Sequence, residues 1–425
     1  MDVLIKKAKI IDSDSPHNGE VVDIRITSGK ITEIGKALKH KNEKLIEIGH
    51  LHVSPGWTDM HANIQDPGYE YKEDIQTAAK AAAAGGFTRI AVSPLSSPRR
   101  DSKAQIEYII NKSKASIVDI LPYGCISKEA KGEELAELYD MKEAGAIGFF
   151  DGKNPIENPN LLLRAMEYCQ SFDGFLINFP FERKVSYNGV MNEGKTSTEC
   201  GLKGIPELSE ELMISRDLYL LNYTGMQIHF STVSSVGGLN LISKAKKAKQ
   251  KVSCDVSAIN LLLDDRELEG FDSRLKTLPP LRGKETIKAL IKRVKEGVID
   301  AICSDHWPQD IESKKREFDY AAFGIINLQT AFSVANTALK KEMSIEEIIP
   351  LFTKGPSTLL RLHNHSIQKG EKAKITLFDP DADFSFTKEM VVSKSLNSPL
   401  FNIPLKGVVY GIYNKNRLYL NEQFL

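Results

Sequence analysis

The chain has 425 residues and equal numbers of acidic and basic side chains, so its formal net charge is zero. At roughly 100–200 residues per domain, this length predicts about two to four domains, or fewer if one is an α/β barrel. The balanced charge argues against a basic nucleic-acid surface, and no segment approaches the roughly 18 apolar residues of a membrane span. We therefore expect no nucleic-acid partner and no membrane partner.

The five cysteines lie far apart and form no Cys-x-x-Cys pair. An odd number of widely spaced cysteines is typical of reduced thiols. The amino terminus has no long apolar run after a basic start, so it does not resemble a secretion signal. These features together predict a cytoplasmic protein.

Both ends of the chain are rich in short segments typical of β-strands. At the amino end these segments are 3–5, 21–26, 30–34 and 44–48, and at the carboxyl end they are 373–378, 408–411 and 417–420. Glycines separate the first group, as expected for turns between strands. Because neither end is long enough for a large core, we predict that residues 1–52 and 361–425 form one small β-sandwich domain.

Between residues 53 and 360, apolar strand-like runs alternate with helix-like segments. Helix-like residues 75–84 precede strand-like residues 88–92, and the pairs 104–113 with 117–121 and 133–143 with 146–150 repeat this order. Further strand-like runs follow at 175–179, 227–230, 251–256 and 301–303. About eight such units in about 300 residues predict a (β/α)₈ TIM barrel over residues 53–360.

The strongest local motif is Pro55-Gly56-Trp57-Thr58-Asp59-Met60-His61-Ala62-Asn63. It places an Asp-x-His at the end of the first predicted barrel strand, where barrel enzymes keep their chemistry. A single histidine is more often a packed or surface residue than a ligand. His61 alone is therefore weak support for a metal site.

This motif and seven further stretches, in the same order along nearly the whole chain, resemble the dihydroorotases of the amidohydrolase superfamily. The stretches are 55–68, 85–88, 145–152, 189–216, 229–232, 276–282, 304–306 and 393–399. The most specific parts are Gly189-Val190-Met191-Asn192-Glu193-Gly194, Gly204-Ile205-Pro206 with Arg216, and Pro279-Pro280-Leu281-Arg282.

The resemblance implies a cyclic amide hydrolase of pyrimidine biosynthesis, which interconverts N-carbamoyl-aspartate and dihydroorotate. It implies one or two zinc ions held by a His-x-His on the first strand, an acid on the fourth strand and two further histidines. It also implies an aspartate at the last strand that moves the proton. An arginine and asparagines would hold the substrate carboxylates, and the family commonly forms homodimers.

Compared with that pattern, four positions keep the family residue. They are His61, Asp151, His229 and the proton-moving Asp305. Six positions differ from the pattern. Two histidine ligands, the substrate arginine, two substrate asparagines and a late histidine are replaced, respectively, by Asn63 and Asn178, Gln65, Leu95 and Leu278, and Gln309. Trp307 also stands where a small residue is usual.

The nine histidines confirm that the replacements are not an alignment error, since none lies between residues 62 and 228. A two-zinc site of the usual family kind therefore cannot be built from this chain alone. The four retained residues form at most a vestigial or partial metal site: His61, Asp151, His229 and Asp305. The alternative is that they form a hydrogen-bonded polar cluster without a metal. We expect zinc to be absent, or one metal to be weakly bound.

Two functions follow from these residues. The first is a catalytically impaired or inactive dihydroorotase homologue that acts as a structural partner of aspartate carbamoyltransferase. It is favoured because a substrate carboxylate left unpaired beside Leu95 and Leu278 would cost several kcal/mol. The alternative is an active zinc-dependent cyclic amidohydrolase that uses a reduced metal site, with Asp305 as the catalytic residue.

Overall fold

The structure is a computed structural model that describes residues 1–424. Its centre is a barrel of parallel strands, built from two four-stranded sheets. The strands are Trp57–Ala62, Phe87–Val92, Asp119–Gly124, Gly148–Phe149, Ile177–Asn178, Gln227–Phe230, Lys251–Ser257 and Ala301–Cys303. Parallel bridges from Phe149 to Leu176 and from Ala62 to His306 close the ring. The predicted (β/α)₈ barrel is confirmed.

Helices cover the outside of the barrel. Those of at least nine residues are Ile75–Ala84, Lys103–Ser113, Pro159–Gln170, Leu208–Thr224, Val236–Lys247, Lys284–Lys295 and Ala331–Leu339. Shorter helices are Leu138–Glu143, Arg183–Ser186, Lys195–Cys200, Ile311–Lys314, Ile345–Ile348 and Lys354–Leu359. A small parallel pair, Met191–Asn192 with Gly204–Ile205, is inserted between the fifth and sixth barrel strands.

The helix predicted over 133–143 is shorter in the structure and begins at Leu138. The preceding residues form a turn instead, in which Leu135 bridges Ser127 and the Lys128 amide donates to the carbonyl of Glu134. These backbone hydrogen bonds compete with the helical ones and delay the start of the helix.

The two chain ends combine as the sequence predicts, and their strands form one eight-stranded sheet. Its strands are Val3–Ile10, Val21–Thr27, Lys30–Gly35, Lys44–Ile46, His52–Pro55, Ile375–Ser385, Pro404–Asn414 and Arg417–Leu420. The two ends meet where His52–Pro55 pairs antiparallel with Ile375–Ser385. The domain boundaries at residues 52 and 361 stay predictions. The strand His52–Pro55, which belongs to the terminal sheet, begins at the first boundary.

Trp57 joins this sheet to the barrel. It is fully buried at the start of the first barrel strand. Its ring lies 4.5 Å from that of Phe332 on a barrel helix and 5.3 Å from that of Phe378 in the terminal sheet. Burial of a large aromatic side chain between the two layers stabilises their contact.

Gly85 lets the helix Ile75–Ala84 turn closely into the second barrel strand. A Cβ atom at this position would collide with the backbone carbonyl oxygen of Leu328. We therefore expect Gly85→Ala to lower the free energy of unfolding by about 1–3 kcal/mol, the usual cost of overpacking.

Chemical denaturation measures this difference, with Gly49→Ala as the matched control. Gly49 is exposed and a Cβ there would meet nothing within 4 Å. Equal stability of the two variants would contradict the close approach at Gly85.

Candidate functional site

The carboxyl ends of the first, fourth and eighth barrel strands bring together His61, Lys153 and Asp305. Asp305 Oδ1 lies 3.0 Å from His61 Nδ1 and 2.9 Å from Lys153 Nζ. All three residues are more than nine-tenths buried. The predicted pair His61 and Asp305 is therefore adjacent, and a buried ammonium group shares the same carboxylate oxygen.

The surroundings of Lys153 hold its ammonium group in place. Nζ donates to Thr232 Oγ1 at 3.0 Å and lies 4.8 Å from the centre of the Phe179 ring, which is a favourable position for a cation. Burial alone would raise the pKa of the Asp305 carboxyl group. The Lys153 charge and the His61 contact together outweigh burial, so the pKa falls below its ordinary value. Asp305 is thus held as a paired carboxylate.

Asp59 fixes the backbone that carries Asp305. Its carboxylate accepts from the Ser304 amide at 2.7 Å and from the Ser304 hydroxyl at 2.6 Å, which ties the first strand to the eighth. Complete burial raises the pKa of Asp59 to about 7, although the hydrogen bonds from Ser304 limit the rise. Asp305 itself has a left-handed φ of 48°, a costly conformation outside glycine that turns the chain after the strand.

His229 uses both ring nitrogens within the sixth and seventh strands. Nδ1 lies 2.8 Å from Ser253 Oγ, and Nε2 lies 3.2 Å from Asp255 Oδ2. Ser231 donates to the same Asp255 oxygen at 2.9 Å. A metal ion at His229 would have to break one of these buried contacts.

Asp151 faces the loop that follows the third strand. Oδ1 accepts from the amides of Ile126 at 2.6 Å and Ser127 at 3.1 Å, and Oδ2 accepts from the Ser127 hydroxyl. Burial raises the pKa of Asp151 to about 6, and the bonds from Ser127 limit the rise. The structure thus gives this predicted acid ligand a set of protein donors.

The polar replacements also bind protein atoms. Asn63 Nδ2 donates to the His306 carbonyl at 3.2 Å, and Gln309 Nε2 donates to that of Phe323 at 2.8 Å. Gln65 Nε2 lies 3.5 Å from the Pro308 carbonyl.

Asn178, on the fifth strand, donates to Asp217 at 2.6 Å and accepts from the Ile156 amide at 3.2 Å. Where the family pattern has ligands, these amides hold loops together.

The apolar replacements pack against the barrel interior. Leu278 contacts the buried cluster that includes Phe150 and Phe179. The Leu95 side chain covers Gly152, where an added Cβ would lie 2.6 Å from Leu95 Cδ1. Trp307 is partly buried and packs on Gly324 at the edge of the mouth.

The donors at the barrel centre do not fit a zinc ion. A catalytic zinc takes about three protein ligands. Asp305 is paired with an ammonium group, His229 has two partners, and Asp151 is bound to the loop near Ser127. Within residues 1–424, these three side chains and His61 do not bring three ligand atoms within 4.8 Å of one another.

The specific motif segments converge beside this centre. Arg282 is buried and donates to Asn192 Oδ1 at 2.9 Å, to the Ile205 carbonyl at 3.1 Å and to Ser234 Oγ at 3.1 Å. One arginine thus joins three of the segments that carry the resemblance. The arginine thus holds the family-specific segments together even though the ligand positions differ.

Sequence reasoning missed Lys153 and Asp255. A usable signal for Lys153 was its position, directly after Asp151-Gly152 at the end of a barrel strand. A lysine there is a cation placed where the pattern calls for metal ligands. Asp255 lies inside the seventh strand and nothing in the local sequence marks it.

The Lys153–Asp305 pair can be tested by its coupling energy. Removing one partner of a buried pair costs about 3–5 kcal/mol, while replacing both is much less costly. We expect Lys153→Met to lower the free energy of unfolding by that amount, and the double variant K153M/D305N to recover a large part of it.

Denaturant titration measures both variants, with Lys128→Met as the control. Lys128 pairs with Glu134 at 2.8 Å, but both side chains are more than half exposed, so the control should change stability by at most about 1 kcal/mol. If K153M is no less stable than K128M, Lys153 is not the charge partner of Asp305.

Comparisons with known proteins agree with this architecture. A family model described as dihydro-orotase-like matches residues 49–237. Proteins named dihydroorotase from Acetivibrio thermocellus and Carboxydothermus hydrogenoformans are each 38% identical, over 100% of both chains. One from Geobacter metallireducens is 37% identical over 96% of both chains.

Solved structures show the same fold. An L-hydantoinase from Arthrobacter aurescens has a TM-score of 0.86 at 21% identity, covering 98% of this chain and 95% of that one. A D-hydantoinase has a TM-score of 0.84 at 19% identity, covering 100% and 96%. No helix in residues 1–424 has the length and apolar character needed to cross a membrane. The full-length identity to its relatives shows that this chain belongs to the dihydroorotase family of amidohydrolases.

Proposed function

We propose that this dihydroorotase-family chain does not catalyse the zinc-dependent interconversion of N-carbamoyl-aspartate and dihydroorotate, and that it acts as a structural partner of aspartate carbamoyltransferase. The observation that carries the first part is the buried contact between Lys153 and Asp305. The second part rests on the residues the chain has lost compared with its family.

Two consequences of that contact argue against the family reaction. A proton-moving aspartate must gain and release a proton, whereas the Lys153 ammonium holds Asp305 ionised. A divalent ion about 4 Å from an ammonium group would be repelled by about 8 kcal/mol, twice the unit-charge value at an effective dielectric constant near 20. Lys153 therefore opposes both parts of zinc catalysis at this carboxylate.

The substrate side supports the same proposal. Gln65 replaces the family arginine, so a charged bidentate grip on a carboxylate is lost. Leu95 packs over Gly152, and Leu278 packs on the aromatic residues of the barrel interior. A dianionic substrate would meet apolar surface and a lysine that is already paired.

The alternative is an active cyclic amidohydrolase with a reduced metal site, and one finding favours it. Relatives that match over the full length are named dihydroorotase at 36–38% identity. His61 Nε2 is also buried without a hydrogen-bond partner among the described residues, so one imidazole nitrogen is open. The alternative requires that Lys153 leave Asp305 when metal and substrate bind.

The two functions predict different rates. We expect the purified chain to cyclise N-carbamoyl-aspartate at less than about a thousandth of the rate of the Acetivibrio thermocellus relative, with or without added zinc, because general acid–base catalysis and metal activation are both lost. The assay follows dihydroorotate formation, with the relative as positive control. A rate within tenfold of that control would establish the active alternative.

A surface next to the barrel mouth supports the partner role. Tyr71, Ile311 and Leu396 are 65%, 70% and 53% exposed and line one groove with a cavity of about 720 Å³. Lys388 and Lys394 also line it. We call this surface the mouth groove. Exposed apolar side chains gathered in one place favour protein binding.

The proposal includes two further expectations from the sequence. We expect the chain to form a homodimer, as its family commonly does. We also expect a cytoplasmic location, which suits the five free cysteines. The light-scattering mass of the chain without its partner, obtained in the binding experiment below, shows whether it is a dimer.

We expect the chain to form a stable complex with aspartate carbamoyltransferase from the same organism, and I311D/L396D to weaken it at least tenfold by charging the mouth groove. Size-exclusion chromatography with light scattering detects the complex. Y219D is the matched control, because Tyr219 is 77% exposed on the outer helix Leu208–Thr224. Absence of a complex at micromolar concentrations would contradict the partner role, and equal loss with Y219D would remove the mouth groove as its site.

A further inference from the structure

A second group of potential metal ligands lies far from the barrel mouth. His363-Asn364-His365 follows the helix Lys354–Leu359 and precedes the strand Ile375–Ser385. The His363 carbonyl accepts from Arg89 in the second barrel strand at 2.8 Å. Glu371 lies on the next turn, where its carbonyl accepts from the Ile31 amide at 2.9 Å. The group therefore lies between the barrel and the terminal sheet.

The three side chains point their ligand atoms at one another. His363 Nε2 and His365 Nδ1 each lie 3.7 Å from Glu371 Oε2, and all three ligand atoms fall within 4.8 Å. Ligands about 2.0–2.2 Å from a tetrahedral zinc ion are about 3.3–3.6 Å apart. The two contacts with Glu371 need a shift of only a few tenths of an ångström to reach this spacing, and the two imidazoles can adjust by side-chain rotation.

Two observations indicate that the ligand atoms are available. His365 Nδ1 is buried and has no hydrogen-bond partner among residues 1–424. In the same part of the chain, the Glu371 carboxylate makes no ion pair with a lysine or arginine within 4.0 Å. The His363 side chain is 68% exposed, which leaves the group open to ions and water from solvent.

The backbone on both sides of the group is anchored. Asp12 Oδ2 accepts from the Ile367 amide at 2.7 Å and from the Ser366 hydroxyl at 2.9 Å. The Gly370 amide donates to the Ile31 carbonyl at 2.8 Å. A ligand set on anchored backbone loses less freedom when it binds an ion.

We propose that His363, His365 and Glu371 form a binding site for one divalent transition-metal ion, with zinc the best fit. Two imidazoles and one carboxylate suit zinc, cobalt and nickel, whereas calcium and magnesium require mostly oxygen ligands. The ion links the His363-Asn364-His365 loop to the turn at Glu371 and leaves a fourth position for water. This site is separate from the barrel centre and does not depend on the proposed function.

The test is zinc titration of the untagged full chain by isothermal calorimetry, with His363→Ala, His365→Ala and Glu371→Gln. We expect one zinc per wild-type chain and at least a tenfold loss of affinity in each variant. His17→Ala is the matched control, because His17 is a partly exposed histidine paired with Glu20 at 2.9 Å, and this variant should bind zinc as the wild type does. His61→Ala should also bind normally, since it lies at the barrel centre.

Cobalt provides a second readout that does not depend on stability. Bound cobalt in a tetrahedral site gives visible absorption bands, and we expect H363A to lose them while H17A keeps them. Wild-type chain that takes up no zinc at 100 µM would overturn the proposal, and so would undiminished binding by the double variant H363A/H365A. Loss of binding in H61A alone would assign the ion to the barrel centre instead.

Discussion

The barrel centre is governed by one constraint: the buried negative charge of Asp305 must be balanced by a cation. Lys153 provides it at 2.9 Å, and the contact with Thr232 and the ring of Phe179 keep the ammonium group in that place. A charge of this kind cannot be left alone in a protein interior, because its desolvation costs several kcal/mol. Catalysis at the barrel centre therefore depends on whether Lys153 stays beside Asp305 or moves away.

The residues around this pair show how a ligand site can become part of the protein interior. Asn178 binds Asp217 and the Ile156 amide, and Gln309 binds the Phe323 carbonyl. A side-chain amide can both donate and accept hydrogen bonds, so it satisfies buried polar groups of the protein. Side chains engaged in this way are not available to bind an ion or a substrate. The fold is kept because its stability comes from the strands, helices and apolar layers, while function depends on a few side chains at the strand ends.

The chain also separates metal binding from the barrel centre. The centre offers a paired carboxylate and one open imidazole nitrogen, whereas the His363 loop offers two imidazoles and an unpaired carboxylate close together. Zinc content measured on the whole protein would add these two places together. Only variants at His61 and His363 assign the metal, and only the first bears on the family reaction.

Much of this protein was determined by its sequence. The alternation of apolar runs and helical segments predicted the barrel, because parallel strands are buried on both faces and their connections are helices. The lack of histidines between residues 62 and 228 predicted that a two-zinc site of the usual family kind cannot form, because its histidine ligands have no counterparts in that range. The start of the helix at Leu138 was missed, since the bridge between Ser127 and Leu135 is a pairing that helical patterning does not report.

Only the tertiary structure decided which charges meet. Lys153 and Asp305 lie at the ends of the fourth and eighth strands, and closure of the barrel brings them within 2.9 Å. The same holds for His363, His365 and Glu371, which meet because the turn at Glu371 is bound to Ile31 in the terminal sheet. Contacts between residues far apart in sequence depend on how whole layers of the fold pack together. Local residue patterns therefore do not predict them.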